Sequence, residues 1–259
     1  MLFSETIFVG VSSTAGKKPM PYAALNPRRE VVVLDHGDRE QVLALLAGLE
    51  RAVVGVNAPQ ALNKGLMNDA SLRRRYNLGV GGSSWMKWRA CEVDLRLRNI
   101  HLTNTPARAE LVAGWVREGF ALYTRLKNMG YRMLVKGEPV PDRALIEVQP
   151  HAAYTALLER RPFPKHALEG RIQRQLVLYL RHLDVPNPLS CLEEVTRYHL
   201  LSGHLPLEEL HSMQELDALA AAYTAYSTVH HPHQFTQVGD REEGLITLPV
   251  AALRDHYPV

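Results

Sequence analysis

The amino-acid sequence predicts an α/β protein with a central mixed β-sheet and helices on both faces. Two apolar runs, Ile7–Ser12 and Ala52–Asn57, carry Val on both faces, as strands buried in the middle of a sheet do. The segments around them predict the order β-β-β-α-β. Both runs also end in a polar residue, Ser12 and Asn57, so polar groups are expected at the rim of a rigid sheet.

The first half of the chain supplies this core in order. After the first strand, the β-rich runs 22–25 and 30–34 flank a turn-like tetrad, 26–29, which predicts a three-stranded antiparallel meander. Asp38 and Gln41 then have the spacing of a capping box in front of apolar residues at i, i+3, i+4 and i+7. They predict an amphipathic helix that leads to the second buried strand.

The second half is predicted to be mostly helical. Helices are expected at about 85–99, 108–128, 167–183, 190–201 and 213–227, a third buried strand at 144–148, and a hairpin of strands 235–238 and 245–248. Nothing resembles a linker, so residues 1–259 are expected to form one domain, with a helical insertion at about 152–210.

Composition excludes several classes of protein. Hydrophobic residues make up 46% of the 259 residues, charged residues 22%, and the net charge is +3, ordinary values for a globular protein. Two cysteines, Cys91 and Cys191, cannot form a disulfide framework, and no Cys/His pattern has zinc spacing. The sequence also shows neither a signal peptide nor an apolar stretch of membrane-spanning length. We therefore expect a cytoplasmic protein.

Three stretches have some features of phosphate-binding sites. Gly10–Lys18 resembles a P-loop, but its glycine spacing is one residue too long and Pro19 prevents the helix that should follow. A tight polar hairpin is favoured there. The loop Gly79–Ser84 could form a nest of backbone N–H groups, or simply a flexible loop. The basic run Arg73–Arg75 is the best single candidate for a phosphate contact, at even odds with a solvated loop.

Three further groups of residues could be functional, but each also has a simpler structural explanation. Arg89, Glu92 and Arg96 share one helical stripe, which would be a solvated ion-pair ladder unless it faces a ligand. Cys91 is expected to be a buried thiol. The histidines in 230–233 crowd around a proline and have no partner ligands, so a polar loop is expected rather than a metal site.

Six segments in order resemble a known family. They are Phe8–Val11, Val54–Pro59, Arg89–Arg96, Ile146–Pro150, Asp217–Ala222 and Glu243–Pro249. Their order resembles a domain-of-unknown-function family described as predicted ribonuclease H-like nucleases. The resemblance implies the ribonuclease H-like fold, which agrees with the β-β-β-α-β order.

The resemblance also implies a site of acidic residues. Nucleases of this fold generally hold two Mg²⁺ or Mn²⁺ ions on carboxylates from the ends of the first and fourth strands and from a late helix, because hard cations require anionic oxygens. This chain has Ser12 and Asn57 where the family has Asp. Glu147 and Asp217 remain as candidate catalytic or metal-binding carboxylates, and Glu92 stands where the family usually has Asp.

Because two of the acidic residues are absent, this chain is expected to bind Mg²⁺ or Mn²⁺ only weakly. Arg89 and Arg96 are retained and suit a phosphate, and Arg73 and Arg74 of the basic run are further candidate phosphate contacts. Three functions remain open: a nuclease-like enzyme acting on a phosphate-containing ligand such as nucleic acid, an inactive relative that binds nucleic acid or a nucleotide, and a protein-interaction module.

Overall fold

The structure, a computed structural model, describes residues 5–16, 18–79, 83–190, 201–203 and 207–259. Its strands are β1 (Ile7–Ser12), β2 (Met20–Leu25), β3 (Val31–Gly37), β4 (Ala52–Asn57), β5 (Arg132–Met133), β6 (Arg143–Val148), β7 (Thr236–Asp240) and β8 (Gly244–Leu248). The α-helices of the described residues are α1 (Arg39–Ala47), α2 (Ala70–Arg75), α3 (Ala90–Leu97), α4 (Gly114–Asn128), α5 (Pro150–Leu158), α6 (Leu168–Leu180) and α7 (Met213–His230). Short 3₁₀ helices cover Leu66–Asn68, Ser83–Lys87 and Ala109–Leu111.

All eight strands join one mixed sheet in the order β3-β2-β1-β4-β6-β8-β7, and β5 pairs with β6 beside this path. Strands β1, β4, β6 and β8 are parallel, whereas the β1–β2, β2–β3 and β7–β8 pairs are antiparallel. The register of β1 and β4 sets Ser12 directly opposite Asn57. The predicted mixed sheet and the β-β-β-α-β order are confirmed.

Helices cover both faces of the sheet, as predicted. In β1, Phe8 packs into an apolar cluster with residues of α7, whereas its neighbour Val9 packs into a second cluster with residues of α1 and α4. This alternation follows from the two-residue period of a strand. The central strands are therefore buried on both sides, which explains their continuous apolar sequence.

Helix α7 lies unusually close to the middle of the sheet. A Cβ atom added to Gly10 of β1 would lie 1.9 Å from the carbonyl oxygen of Ala218 and 2.4 Å from the nitrogen of Ala222. Gly55 of β4 meets the same helix, because its added Cβ would lie 2.6 Å from the oxygen of Ala221. Small residues on both elements allow this approach, and it brings the beginning of α7 to the ends of β1 and β4.

Two of the predicted helices begin later than expected. The helix predicted at 85–99 is a 3₁₀ helix followed by α3, because Arg89 has extended backbone (φ −68°, ψ 155°) and caps a new helix. The helix predicted from 108 starts at Gly114, after a short 3₁₀ turn. The helix predicted at 190–201 falls largely outside the described residues. Both predicted capping boxes, at the starts of α1 and α7, are confirmed.

Helices α2 and α5 were not predicted. Pro150 was interpreted only as the end of a strand, but it occupies the first turn of α5, where its missing N–H costs nothing. Tyr154 of α5 and Leu178 of α6 belong to the same apolar cluster as Phe8 of β1. None of the helices in the described ranges is long and apolar enough to cross a membrane.

Candidate functional site

A cavity of about 520 Å³ opens at the carboxyl ends of β1 and β4. Its floor is formed by Ser12 and Asn57, and its walls come from the loop after β1, the segment 101–103 and the first turns of α5 and α7. In open α/β sheets, ligands bind outside the carboxyl ends of the strands. The cavity therefore occupies the usual position of a ligand-binding site in an open α/β sheet.

The two strand-end residues on the floor are joined by hydrogen bonds. Asn57 donates its side-chain N–H to the hydroxyl of Ser12 at 3.1 Å, and the hydroxyl of Ser13 donates to the backbone oxygen of Asn57 at 3.0 Å. The expected closeness of these two positions is thus observed. Hydroxyl and amide groups provide polar contacts at the floor without any negative charge.

The charged side chains around the cavity are mainly cationic. Lys18, Lys165 and Arg174 line it together with a single carboxylate, that of Asp217. Two histidines, His101 and His151, complete the titratable lining. With both histidines neutral, the formal charge of the lining is positive. Such a surface favours an anionic ligand.

Asp217 lies near the start of α7, which is fixed by the capping box of Ser212 and Glu215. The residue is 9% exposed, and its Oδ2 lies 3.5 Å from Nζ of Lys165. Burial raises the pKa of the Asp217 carboxyl, while the charges of Lys165 and Arg174 act in the opposite direction. The net effect is a carboxylate that takes up a proton more readily than an exposed aspartate does.

Arg174, on α6, is a buried cation without an acidic partner. The residue is only 2% exposed, and its Nη1 donates to the backbone oxygens of Phe163 (3.0 Å) and Gly170 (2.9 Å). Its guanidinium also lies 5.6 Å from the ring centre of Tyr154. Within the described part of the chain, no carboxylate forms an ion pair with it. Burial lowers the pKa of Arg174, and the negative charge of Asp217 acts in the opposite direction.

His151 follows Pro150 in the first turn of α5 and lines the same cavity. Burial lowers the pKa of His151 from 6.5 to about 4, with further lowering by the charges of Arg174, Arg161 and Lys165. The imidazole is therefore neutral at pH 7 in the free protein. It can donate or accept a hydrogen bond there, but it adds no charge.

Glu147, Arg89 and Glu92 lie elsewhere, in a buried ion network. Arg89 binds Glu147 through two nitrogens, at 2.5 and 3.0 Å, and its Nε lies 2.9 Å from Glu92. All three residues are at most 2% exposed, and none of them lines the cavity. They do not form the solvated ladder considered above, and no surface of Glu147 is available for a metal or substrate in this conformation.

Glu243, in the turn between β7 and β8, completes this network and was not identified as a candidate. Its carboxylate accepts from the backbone N–H groups of Lys64, Leu66 and Ala90, each at 2.9 Å. It joins the loop after β4, the start of α3 and the β7–β8 hairpin. The sequence did contain a signal, since Glu243 falls within one of the six family-like segments.

The remaining predicted arginines do not reach the cavity either. Arg73 is 5% exposed and donates to the backbone oxygen of Met67 at 2.7 Å, whereas Arg74 is exposed. The guanidinium of Arg96 lies 4.6 Å from the ring centre of Trp88. The centre of the glycine-rich loop, residues 80–82, lies outside the described residues. Of the predicted site residues, the structure brings together Ser12, Asn57 and Asp217.

Four titratable cavity residues were missed: His101, His151, Lys165 and Arg174. Lys18 was considered only as the end of the P-loop-like stretch Gly10–Lys18, where a polar hairpin was favoured. His151 had a usable signal, because it begins a helix directly after a buried parallel strand. Lys165 and Arg174 had none, since their position depends on how the segment 159–174 packs against α7.

The donor atoms do not fit the pair of Mg²⁺ or Mn²⁺ ions that the resemblance implies. Asp217 is the only carboxylate at the cavity, and it already faces Lys165. Glu147 is neutralised by Arg89. Among the residues that the structure describes, no group of three or more His, Cys, Asp or Glu side chains is placed to hold a metal ion. Hard divalent ions need several anionic oxygens, and this site offers one.

The fold and site define an α/β protein with a mixed sheet and a positively charged cavity at the ends of its central parallel strands. The chain belongs to DUF429, a family described as a protein of unknown function, whose model matches residues 25–241. Strand β1 and its Ser12 precede the matched range. Searches of curated proteins and of solved structures find no significant match.

Proposed function

We propose that this protein binds a phosphate-containing ligand, a nucleotide or one nucleotide of a nucleic acid strand, in the cavity at the ends of β1 and β4. The observation that carries the proposal is Arg174. This buried guanidinium is held by backbone oxygens and an aromatic ring, and among the described residues it forms no ion pair, since Asp217 acts on it only from beyond contact distance. Arginine binds phosphate oxygens in a bidentate manner, so a phosphate group supplies the missing partner.

The size and lining of the cavity support the same ligand class. A volume of about 520 Å³ lies within the range of roughly 300–1,000 Å³ that is usual for small-molecule sites. Lys18 and Lys165 add positive charge near Arg174. Ser12 and Asn57 provide hydroxyl and amide groups for the sugar or base.

We further propose that the fold is ribonuclease H-like. This is supported by the β-β-β-α-β order and by the meeting of two parallel strand ends with a late helix that carries Asp217. In this interpretation Ser12 and Asn57 replace two acidic residues of an ancestral metal site. The cations Lys165 and Arg174 then compensate the phosphate directly.

Cleavage of a phosphodiester is the second candidate function. It is favoured by Asp217, whose pKa is raised by burial, as general acids and bases in active sites often show. The two functions predict opposite effects of Asp217→Asn. In a binding protein, loss of this negative charge strengthens the binding of a phosphate ligand. In an enzyme it abolishes turnover.

The test of binding is a calorimetric titration with nucleoside mono- and diphosphates. We expect Lys165→Ala to weaken binding about tenfold, corresponding to roughly 1.4 kcal/mol. The matched control is Lys127→Ala, which removes an exposed lysine of α4 that does not line the cavity. The absence of binding to the natural protein, or equal effects of the two variants, would overturn the proposal.

The test of cleavage uses labelled DNA and RNA with Mn²⁺. Activity that disappears in Asp217→Asn would establish the enzyme. Activity only in the double variant Ser12→Asp/Asn57→Asp would show that the natural protein is a silenced nuclease. Binding without cleavage in either protein would leave ligand binding as the function.

A further inference from the structure

A second cavity, of about 700 Å³, adjoins the first. It is formed by His151 at the start of α5, the segment 160–166, α6 and Val259. The two cavities share three lining residues, His151, Lys165 and Arg174, and therefore meet at these side chains. The second cavity has no counterpart among the residues that the sequence indicated.

The charged side chains that line the second cavity are all cationic. Arg160, Arg161, Lys165 and Arg174 line it, and no acidic side chain does. In the described part of the chain, Arg160 and Arg161 take part in no ion pair, although Arg160 donates to the backbone oxygen of Val259 at 3.1 Å. Among the residues that line the two cavities, Asp217 of the first cavity is the single acidic side chain. A polyanion extending from the first cavity would thus meet continuous positive charge.

Phe163 gives this surface an exposed aromatic ring on a fixed backbone. The residue is 52% exposed. Its backbone N–H donates to the side chain of Gln173 at 2.7 Å, and its backbone oxygen accepts from Arg174 at 3.0 Å. Pro162 and Pro164 flank it and restrict the chain further. The backbone that carries the ring is therefore held in place, while the ring itself is exposed.

We propose that the two cavities form one path for single-stranded nucleic acid, an inference that rests on the proposed function. One nucleotide occupies the first cavity, Lys165 and Arg174 bind the phosphate at the junction, and the next base stacks on Phe163. A groove of cations with an exposed aromatic ring is the usual construction of single-strand binding sites. A duplex cannot use the ring, because its bases are already stacked on one another.

The experiment measures affinities for thymidine monophosphate and for fluorescein-labelled oligothymidylates of two, four and eight nucleotides by anisotropy. We expect affinity to rise with length. Phe163→Ala should lower the ratio of octamer affinity to monophosphate affinity about tenfold, and Phe163→Tyr should restore it. Leu180→Ala is the matched control, since Leu180 is an exposed apolar residue of α6 outside both cavities.

Salt dependence tests the cationic part of the path. Removal of one phosphate contact by Arg161→Ala should reduce the slope of log affinity against log salt for the octamer by about 0.7. Arg132→Ala, which removes an exposed arginine of β5, should leave the slope unchanged. Circular dichroism confirms that each variant is folded.

The outcomes separate this inference from the proposed function. Monophosphate binding with no gain from length, or equal ratios for Phe163→Ala and Leu180→Ala, would overturn the path and retain the first site. Failure to bind the monophosphate and the oligonucleotides alike would overturn both. A duplex that binds as tightly as the single strand, or polyglutamate that displaces the octamer at equal concentration of charge, would also overturn the path.

Discussion

Arg89 compensates two carboxylates in a region from which water is excluded. We expect Arg89→Met to lower the free energy of unfolding by about 3–5 kcal/mol, because it leaves Glu92 and Glu147 charged, buried and unpaired. Urea denaturation followed by circular dichroism measures the change. Arg98→Met is the matched control on the same helix: its pair with Asp94 is partly exposed, and the expected loss is about 1 kcal/mol or less. Similar losses in the two variants would contradict this.

Glu147→Gln separates a structural role of this residue from the catalytic role that its sequence position suggested. We expect the variant to be less stable, since Arg89 loses one of its two charged partners. It should bind nucleotides as the natural protein does, because Glu147 does not line the cavity. Nucleotide titration under conditions where the variant is fully folded is the measurement. A loss of binding or cleavage by a folded Glu147→Gln protein would return Glu147 to the functional site.

His151 makes ligand binding depend on pH. Burial and the charges of Arg174, Arg161, Lys165 and His101 lower its pKa from 6.5 to about 4. A phosphate placed among these cations offsets their charge and raises that pKa. The complex then holds more protons than the free protein, so affinity should rise as the pH falls from 6.5 towards 4.

Titration with thymidylyl-thymidine measures this effect, since its phosphodiester does not change charge over the same range. In His151→Gln the pH dependence should be flatter. The lowered pKa also makes stability depend on pH. The unfolded chain takes up a proton on His151 near pH 6.5, whereas the native protein does so only near pH 4. The native protein therefore loses stability as the pH falls from 6.5 to 4. The folded fraction must therefore be measured at each pH. An affinity that does not vary with pH in the natural protein would contradict the prediction.

Among the elements, α7 couples the sheet to the cavity. Its close approach to β1 and β4 depends on glycines in both strands, and the same helix carries Asp217. A change in the distance between helix and sheet would therefore change stability and site together.

Gly10→Ala tests this coupling. The new Cβ would meet the backbone of Ala218 at 1.9 Å, so α7 must shift, and we expect a loss of about 1–3 kcal/mol or more. Thermal unfolding measures the loss, and nucleotide titration measures the weaker binding expected from the displaced helix. Gly48→Ala is the control, because its Cβ would have no neighbour closer than 3.5 Å and its φ is −74°. Equal thermal stability of the two variants would contradict the close packing.

At the scale of the whole molecule, local patterns predicted the sheet and only part of the site. The composition of β1 and β4 indicated strands buried on both faces, and their parallel pairing followed from the β-β-β-α-β order, so the closeness of Ser12 and Asn57 could be predicted. The ion pair of Glu147 could not be predicted, because its partner Arg89 lies 58 residues away in the chain. The spacing of residues in the sequence predicts which side chains are neighbours on one helix or strand. It does not predict which side chains of different elements form an ion pair.

The predicted helical insertion at 152–210 also depends on contacts between distant parts of the chain. The sequence predicts an insertion there because the segment is mostly helical and follows a strand of the core. In the structure Val177 and Leu178 of α6 share an apolar cluster with Phe8 of β1 and Leu219 of α7. Helix α6 therefore contributes to the layer of helices on one face of the sheet.

This shared core predicts that the protein unfolds in one step. We expect a single calorimetric transition, with equal calorimetric and van't Hoff enthalpies, because α6 cannot detach without exposing the apolar face of α7. Leu178→Ala, which removes a fully buried side chain of α6, should lower the midpoint of that single transition, at a cost of about 2–5 kcal/mol. Leu180→Ala on the exposed side of α6 should leave it nearly unchanged. Two resolved transitions, of which Leu178→Ala shifts only one, would show instead that 152–210 folds independently of the sheet.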